Sequence, residues 1–220
     1  MQTVRWHAVH DVAGGAVSRV LAAARQAVTG RGEFHLVLAG GNTPRELYRR
    51  LAKMQLDLSA WHVWFGDERC LPPDDPERNS QMVLQAWPAL GELPASRLHV
   101  IAAERGALVA AADYAAQLAD IGDFDLVLLG LGEDGHTASL FPGQDWEVAN
   151  TPVLAVSHAP KPPPERVSLS AGRLSQAREV LFLVAGGGKR AAVAAWQAGE
   201  PLPAAAIQPV DGVDVLIDLS

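Results

Sequence analysis

The chain has 220 residues, 49% of them hydrophobic and 20% charged, with one cysteine and a formal net charge of −7 at pH 7. That balance describes a soluble globular protein with ample core and speaks against nucleic acid or an anionic membrane as the main partner. Cys70 alone excludes an intramolecular disulfide, no apolar run reaches the roughly 18–20 residues that span a bilayer, and residues 1–7 lack a secretory pattern, so a cytoplasmic location is expected.

In chain order, apolar strand-like runs alternate with Ala-rich helical periodicities. Strands are predicted over residues 3–8, 34–39, 61–66, 97–101, 124–130, 153–157, 180–185 and 213–219, and helices over 13–28, 44–54, 79–86, 106–119 and 189–198. The alternation predicts one α/β domain over residues 1–220: a doubly wound, Rossmann-like, mostly parallel twisted sheet with helices on both faces. The proline run at 160–164 is too short for a domain linker and reads as a rigid loop.

Ligands of such sheets bind outside the carboxyl ends of the strands, so the loops after strands carry the function. The loop Gly40-Gly41-Asn42-Thr43-Pro44-Arg45-Glu46 follows the second strand. Thr43 fits an N-cap, Pro44 the first helical position and Glu46 the reciprocal partner of a capping box. Two glycines thus lead into a helix N-terminus suited to phosphate; an ordinary capped junction is the alternative. The dinucleotide fingerprint G-x-G-x-x-G is absent. After the third strand, Gly66-Asp67-Glu68-Arg69-Cys70 offers two carboxylates and a guanidinium. Arginine grips phosphate bidentately and a carboxylate orients water or a sugar hydroxyl; a surface charge cluster is the alternative. Cys70 reads as packing, not as a nucleophile.

The stretch Gly130-Leu131-Gly132-Glu133-Asp134-Gly135-His136, continuing to Gly143, follows the buried run 124–129. Its glycines permit positive φ and close approach of a ligand, and an imidazole there suits acid/base work; a tight turn with a surface histidine is the alternative. The loop Gly186-Gly187-Gly188-Lys189 resembles a Walker ending, but Leu183 and Ala191 occupy two required positions, so it is no ATP site. Lys189 at a positive helix end suggests an anion to neutralise, against the alternative of a solvated lysine. The other histidines (His7, His10, His35, His62, His99 and His158) lie singly, without metal-ligand spacing, and G-x-S-x-G is absent.

Assembled in order, these segments resemble the 6-phosphogluconolactonase family, within a superfamily that includes glucosamine-6-phosphate deaminase and ribose-5-phosphate isomerase. The resemblance covers nearly the whole length: Gly40–Pro44, Gly66–Arg69 with Pro72-Pro73 and Asn79, Gly130–Gly143, the run Pro162–Ser170, and Gly188-Lys189. Deaminases resemble the chain up to His136 and then typically carry Ile-Ala-Phe-Asn-Glu-Pro. Here Thr137-Ala138-Ser139-Leu140-Phe141-Pro142 follows, the lactonase ending. Asn42 departs from the serine that is commoner in the phosphate loop.

The resemblance implies hydrolysis of 6-phospho-D-glucono-1,5-lactone to 6-phosphogluconate, a step of the oxidative pentose phosphate pathway, with no metal or organic cofactor. It implies that His136 takes a proton from the attacking water and returns it to the ring oxygen. Asp134 and Asp67 are both candidates to orient the imidazole or the sugar. Loop N–H groups of 130–135 are candidate oxyanion donors. The phosphate is expected on Gly40, Gly41, Asn42 and Thr43, clamped by Arg166 and Lys189, with Arg69 as a further cation. The rivals are an isomerase or deaminase using Asp67 as base, and a non-catalytic sugar-phosphate sensor. Sensors normally carry an added helix-turn-helix, for which the chain's first strand near Thr3 and its end at Ser220 are expected to leave no room. The expected partner is the small-molecule sugar-phosphate lactone, bound by a monomer or small homo-oligomer.

Overall fold

A computed structural model of the protein describes residues 3–146 and 151–220. The elements are β1 (Val4–Ala8), α1 (Val12–Arg31), β2 (Phe34–Leu38), α2 (Asn42–Ala52), β3 (Trp61–Phe65), β4 (Asp67–Arg69), α3 (Asn79–Ala86), β5 (Leu98–His99), α4 (Ala107–Gln117) and β6 (Phe124–Gly130). They continue with β7 (Val153–Val156), β8 (Arg166–Leu169), α5 (Ala171–Ser175), β9 (Ala177–Ala185), α6 (Arg190–Gln197) and β10 (Val213–Asp218).

Seven strands form one parallel sheet in the order β1-β10-β9-β6-β2-β3-β5. The expected α/β architecture is therefore present. Every residue of β2 and nearly every residue of β6 is buried, as parallel strands covered on both faces require. The chain runs outward from β2 through β3 to β5 on one side, and from β6 through β9 to β10 on the other. The adjacent carboxyl ends of β2 and β6 therefore flank a topological switch point, where open α/β sheets hold their ligands. No helix among the described residues is long and apolar enough to cross a membrane.

Two expectations need correction. The run 153–157 does not join the main sheet. As β7 it pairs antiparallel with β8, which pairs antiparallel with β4, giving a second sheet β4-β8-β7. The stretch between β7 and β8 is shorter than the dozen or so residues that a parallel crossover needs, so only antiparallel pairing is open to it. The edge strand expected over 97–101 keeps only Leu98–His99.

The small sheet decides where the site lies. The chain leaves β3 at Gly66, whose N–H donates to the Leu38 carbonyl at 2.9 Å and whose carbonyl accepts from Leu169 at 2.8 Å. β4 is thereby swung over the carboxyl end of the main sheet, and its register places Arg69 opposite Arg166.

Candidate active site

The loops after β2, β3, β6 and β9 enclose a cleft of about 210 Å³ at the switch point. Gly40, Gly41, Asn42, Thr43, Asp67, Arg69, His136, Arg166 and Lys189 all line it, and of the expected site residues Asp134 alone does not.

Two buried tyrosines fix where β2 and β3 end. The Tyr48 hydroxyl donates to the Ala39 carbonyl at 2.9 Å and accepts the Ala39 N–H at 3.0 Å. Tyr114 treats Phe65 likewise, at 3.1 and 2.9 Å. Each satisfies the backbone groups that would be orphaned where the chain turns away. Beyond Ala39 the expected capping box does not form. The N-cap of α2 is Gly41, at φ 102°, and no side chain caps the helix. Thr43 lies within the first turn instead of ahead of it, and Glu46 pairs with Arg50 at 3.0 Å. The first N–H groups of α2 thus remain open to a ligand, which suits an anion better than a capped terminus would.

Asp67 and Glu68, adjacent in sequence, face opposite ways on β4 and do different work. Asp67 accepts from Asn79 Nδ2 at 2.9 Å on Oδ1 and from the Ser139 hydroxyl at 2.6 Å on Oδ2. Gly40 makes room for this arrangement, since a Cβ there would collide with the Asn79 amide. Glu68 is fully buried and caps α3 from a distance. Its oxygens accept the N–H groups of Asn79 at 2.7 Å and Ser80 at 2.9 Å, and Arg78 lies 3.4 Å away. Cys70 is inert here, because burial pushes its thiol up to about 11.

Directly opposed like charges destabilise an antiparallel pair, yet Arg69 and Arg166 face each other across β4 and β8 and line the same cleft. Arg69 donates to the Glu77 carbonyl, while its buried Nε has no hydrogen-bond partner among the described residues. Arg166 uses Nε on the Pro163 carbonyl at 3.1 Å and Nη2 on the carbonyls of Lys161 and Pro162, both at 3.0 Å. Lys189, expected as the first residue of the last helix, instead ends a one-turn 3-10 helix, Gly187–Lys189, and is the N-cap of α6, which begins at Arg190.

The loop after β6 curls tightly, with Gly132 donating to the His136 carbonyl at 2.8 Å and Gly135 to the Gly132 carbonyl at 3.1 Å. Those two N–H groups are spent and drop out as oxyanion donors. A Cβ on Gly132 would occupy the place of the His136 ring and the Asp134 carboxylate. His136 Nδ1 hydrogen-bonds Asp134 Oδ1, and the ring lies on Phe141 with centroids 4.7 Å apart. Asp134, not Asp67, is therefore the carboxylate in contact with the imidazole. Burial lowers the His136 pKa from its ordinary value, Asp134 pulls it back, and Lys161 adds to the lowering. Asp134 resists the upward push of burial through the His136 hydrogen bond and is held at about 2. Lys161, which sequence reasoning missed, places Nζ 3.4 Å from Asp134 Oδ2 and 3.4 Å from His136 Nδ1. Its only sequence signal is a place in the proline run.

His35, His62 and His99 were expected to lie singly, but register sets His35 against His62 across β2 and β3, and the ring of His99, whose register partner on β3 is Trp64, stacks on His62 as well. Glu33, His35 and His62 bring possible ligand atoms within 4.8 Å of one another. The Trp64 indole N–H, however, donates to His35 Nδ1 at 3.2 Å, which puts the proton of a neutral imidazole on Nε2. That nitrogen lies 3.2 Å from Glu33, so it serves as a donor and not as a metal ligand.

Known proteins share this fold and resemble this sequence over most of its length. The family described as glucosamine-6-phosphate isomerases/6-phosphogluconolactonase matches residues 8–216. The chain belongs to this family. Within it, a 6-phosphogluconolactonase of Mycobacterium tuberculosis is 38% identical over 192 residues, covering 80% of this chain and 78% of its own. One from Synechocystis is 35% identical over 212 residues, covering 88% of this chain and 85% of its own. The crystal structure of 6-phosphogluconolactonase from Thermotoga maritima superimposes with a TM-score of 0.89 at 25% identity, covering 97% of this chain and 99% of that one. That from Trypanosoma brucei gives 0.83 at 28% identity, covering 99% and 96%.

Proposed function

We propose that the protein is a hydrolase that opens 6-phospho-D-glucono-1,5-lactone to 6-phospho-D-gluconate, as the names of its relatives indicate. The observation that carries the reading is the pairing, in one cleft, of His136 oriented by Asp134 with an uncapped helix N-terminus and two facing arginines. An anion between Arg69 and Arg166 and above Gly41, Asn42 and Thr43 turns a repulsive pair into a binding site. Lys189 closes the same cleft. Nδ1–H bonded to Asp134 leaves the Nε2 lone pair of His136 free to act as base.

In the proposed reaction His136 Nε2 removes a proton as water oxygen bonds to C1. The charge that develops on the carbonyl oxygen is met by loop N–H groups, and Leu131 and Ala138 are the candidates lining the cleft once Gly132 and Gly135 are spent. The C1–ring oxygen bond then breaks, and the imidazolium returns its proton to the departing oxygen. Asp67 serves by holding Asn79 and Ser139 in place. The rival isomerase or deaminase needs Asp67 free as a carbon-acid base, whereas both its oxygens are engaged. Incubation with glucosamine 6-phosphate separates the two: no ammonia is expected, and its release would establish the rival.

Activity should fall as pH falls, because protonated His136 cannot accept from water. With burial lowering its pKa, the acidic limb of kcat/KM is expected below about pH 6.5, after subtraction of the spontaneous rate. A limb well above that value would assign the titration to another group.

Arg166→Ala removes a charged contact to phosphate and frees three loop carbonyls. Charge-assisted hydrogen bonds contribute roughly 1.5–3 kcal/mol, so KM should rise about 10- to 100-fold. An unchanged KM would remove Arg166 from the phosphate site.

A further inference from the structure

Lys161 reaches the His136–Asp134 pair from a segment that follows β7, not from the loop that carries the pair itself. Its side chain is about half exposed, at 47%, yet Nζ lies between Asp134 Oδ2 and His136 Nδ1, 3.4 Å from each. The backbone that presents it is held by Arg166 through the carbonyls of Lys161, Pro162 and Pro163. One arginine thus binds the loop bearing the lysine while lining the cleft beside His136.

From this geometry we infer that Lys161 is a positioning residue of the hydrolytic step, locking Asp134 in place and keeping His136 in its unprotonated form. The inference rests on the proposed role of His136 as base. Two physical effects support it. An ammonium paired with the far oxygen of Asp134 restrains the carboxylate that fixes the tautomer. It also opposes a second positive charge on the adjacent ring. The other charged groups facing the imidazole are Asp134 in its own loop and Asp67 on β4, and both favour protonation. Arg69, Arg166 and Lys189 line the same cleft and are common to every variant considered. Lys161 is therefore the cation set directly against the pull of Asp134. Arg166 links phosphate binding to this arrangement, since an anion drawn to its guanidinium bears on the segment that holds the lysine.

The test compares wild type with Lys161→Met and Lys161→Arg. His136 is titrated by NMR, and kcat and KM are measured across pH. In Lys161→Met the His136 midpoint should move up by roughly half a pH unit or more, carrying the acidic limb of kcat/KM with it. At the plateau kcat should drop about threefold to tenfold with KM little changed, and Lys161→Arg should restore the midpoint. A midpoint that stays in place in Lys161→Met overturns the inference, as does a rise confined to KM. The titration needs no turnover, so it decides whether Lys161 opposes protonation of His136 even if the protein proves inactive on the lactone.

Discussion

Replacing His136 by alanine is expected to lower kcat for lactone hydrolysis by about 10²–10⁴-fold, the usual contribution of one positioned base. The folded state should hardly notice. The ring contacts Phe141 and Asp134 at the rim of the cleft and carries none of the main core. KM should change little, because the groups assigned to the phosphate lie on α2, β4 and β8, on segments other than the loop that carries the imidazole. Asp134→Asn should cost less than His136→Ala, and the double variant should be no worse than His136→Ala alone, since residues acting as a unit are not additive. Steady-state kinetics on the three variants check this; full activity in His136→Ala would reject it as the base.

The second large effect concerns Glu68, which the sequence presents as one more carboxylate in a charged loop. In the fold it is buried against Arg78 and accepts the first two N–H groups of α3. Glu68→Ala removes one partner of a buried ion pair and orphans two buried donors. Such a change destabilises by about 3–5 kcal/mol. For a domain of this size that amounts to roughly 10 °C in Tm. Arg78 retains Glu104 at 2.7 Å, so the loss should stay at the lower end of that range. Glu68→Gln, which keeps an acceptor for α3, should lose less. Activity should fall with stability, because α3 carries the Asn79 that holds Asp67. A Tm within 2 °C of wild type, by calorimetry, would contradict the capping role.

Fold and cleft were legible in the sequence to unequal depth, for physical reasons. The parallel core shows itself because doubly covered strands such as 34–38 and 124–130 are apolar runs, each broken by a single polar residue (His35, Asp125), with glycines close by. The helix over 79–86 appears with the same bounds in sequence and structure. What periodicity does not carry is pairing across long separations. β4 is three residues long and polar, so nothing local marks it as a strand, and the register that sets Arg69 against Arg166 follows only once β8 is in place. The same holds for the imidazole's neighbours. Asp134 is a candidate on proximity in sequence, but Lys161 comes from 25 residues beyond His136 and depends on the Arg166 hook. The α2 junction was misread in detail because Thr43-Pro44 and Glu46 fit a capping box, while Gly41 at positive φ starts the helix earlier and leaves its N–H groups open.

Hydrolysis of a phosphorylated sugar lactone is the activity proposed for this cleft. The most direct measurement adds the protein to freshly prepared 6-phosphogluconolactone and follows 6-phosphogluconate through an excess of the dehydrogenase that oxidises it. Product should form well above the spontaneous rate and in proportion to protein added. A rate no greater than the uncatalysed one, from folded protein, would contradict the account.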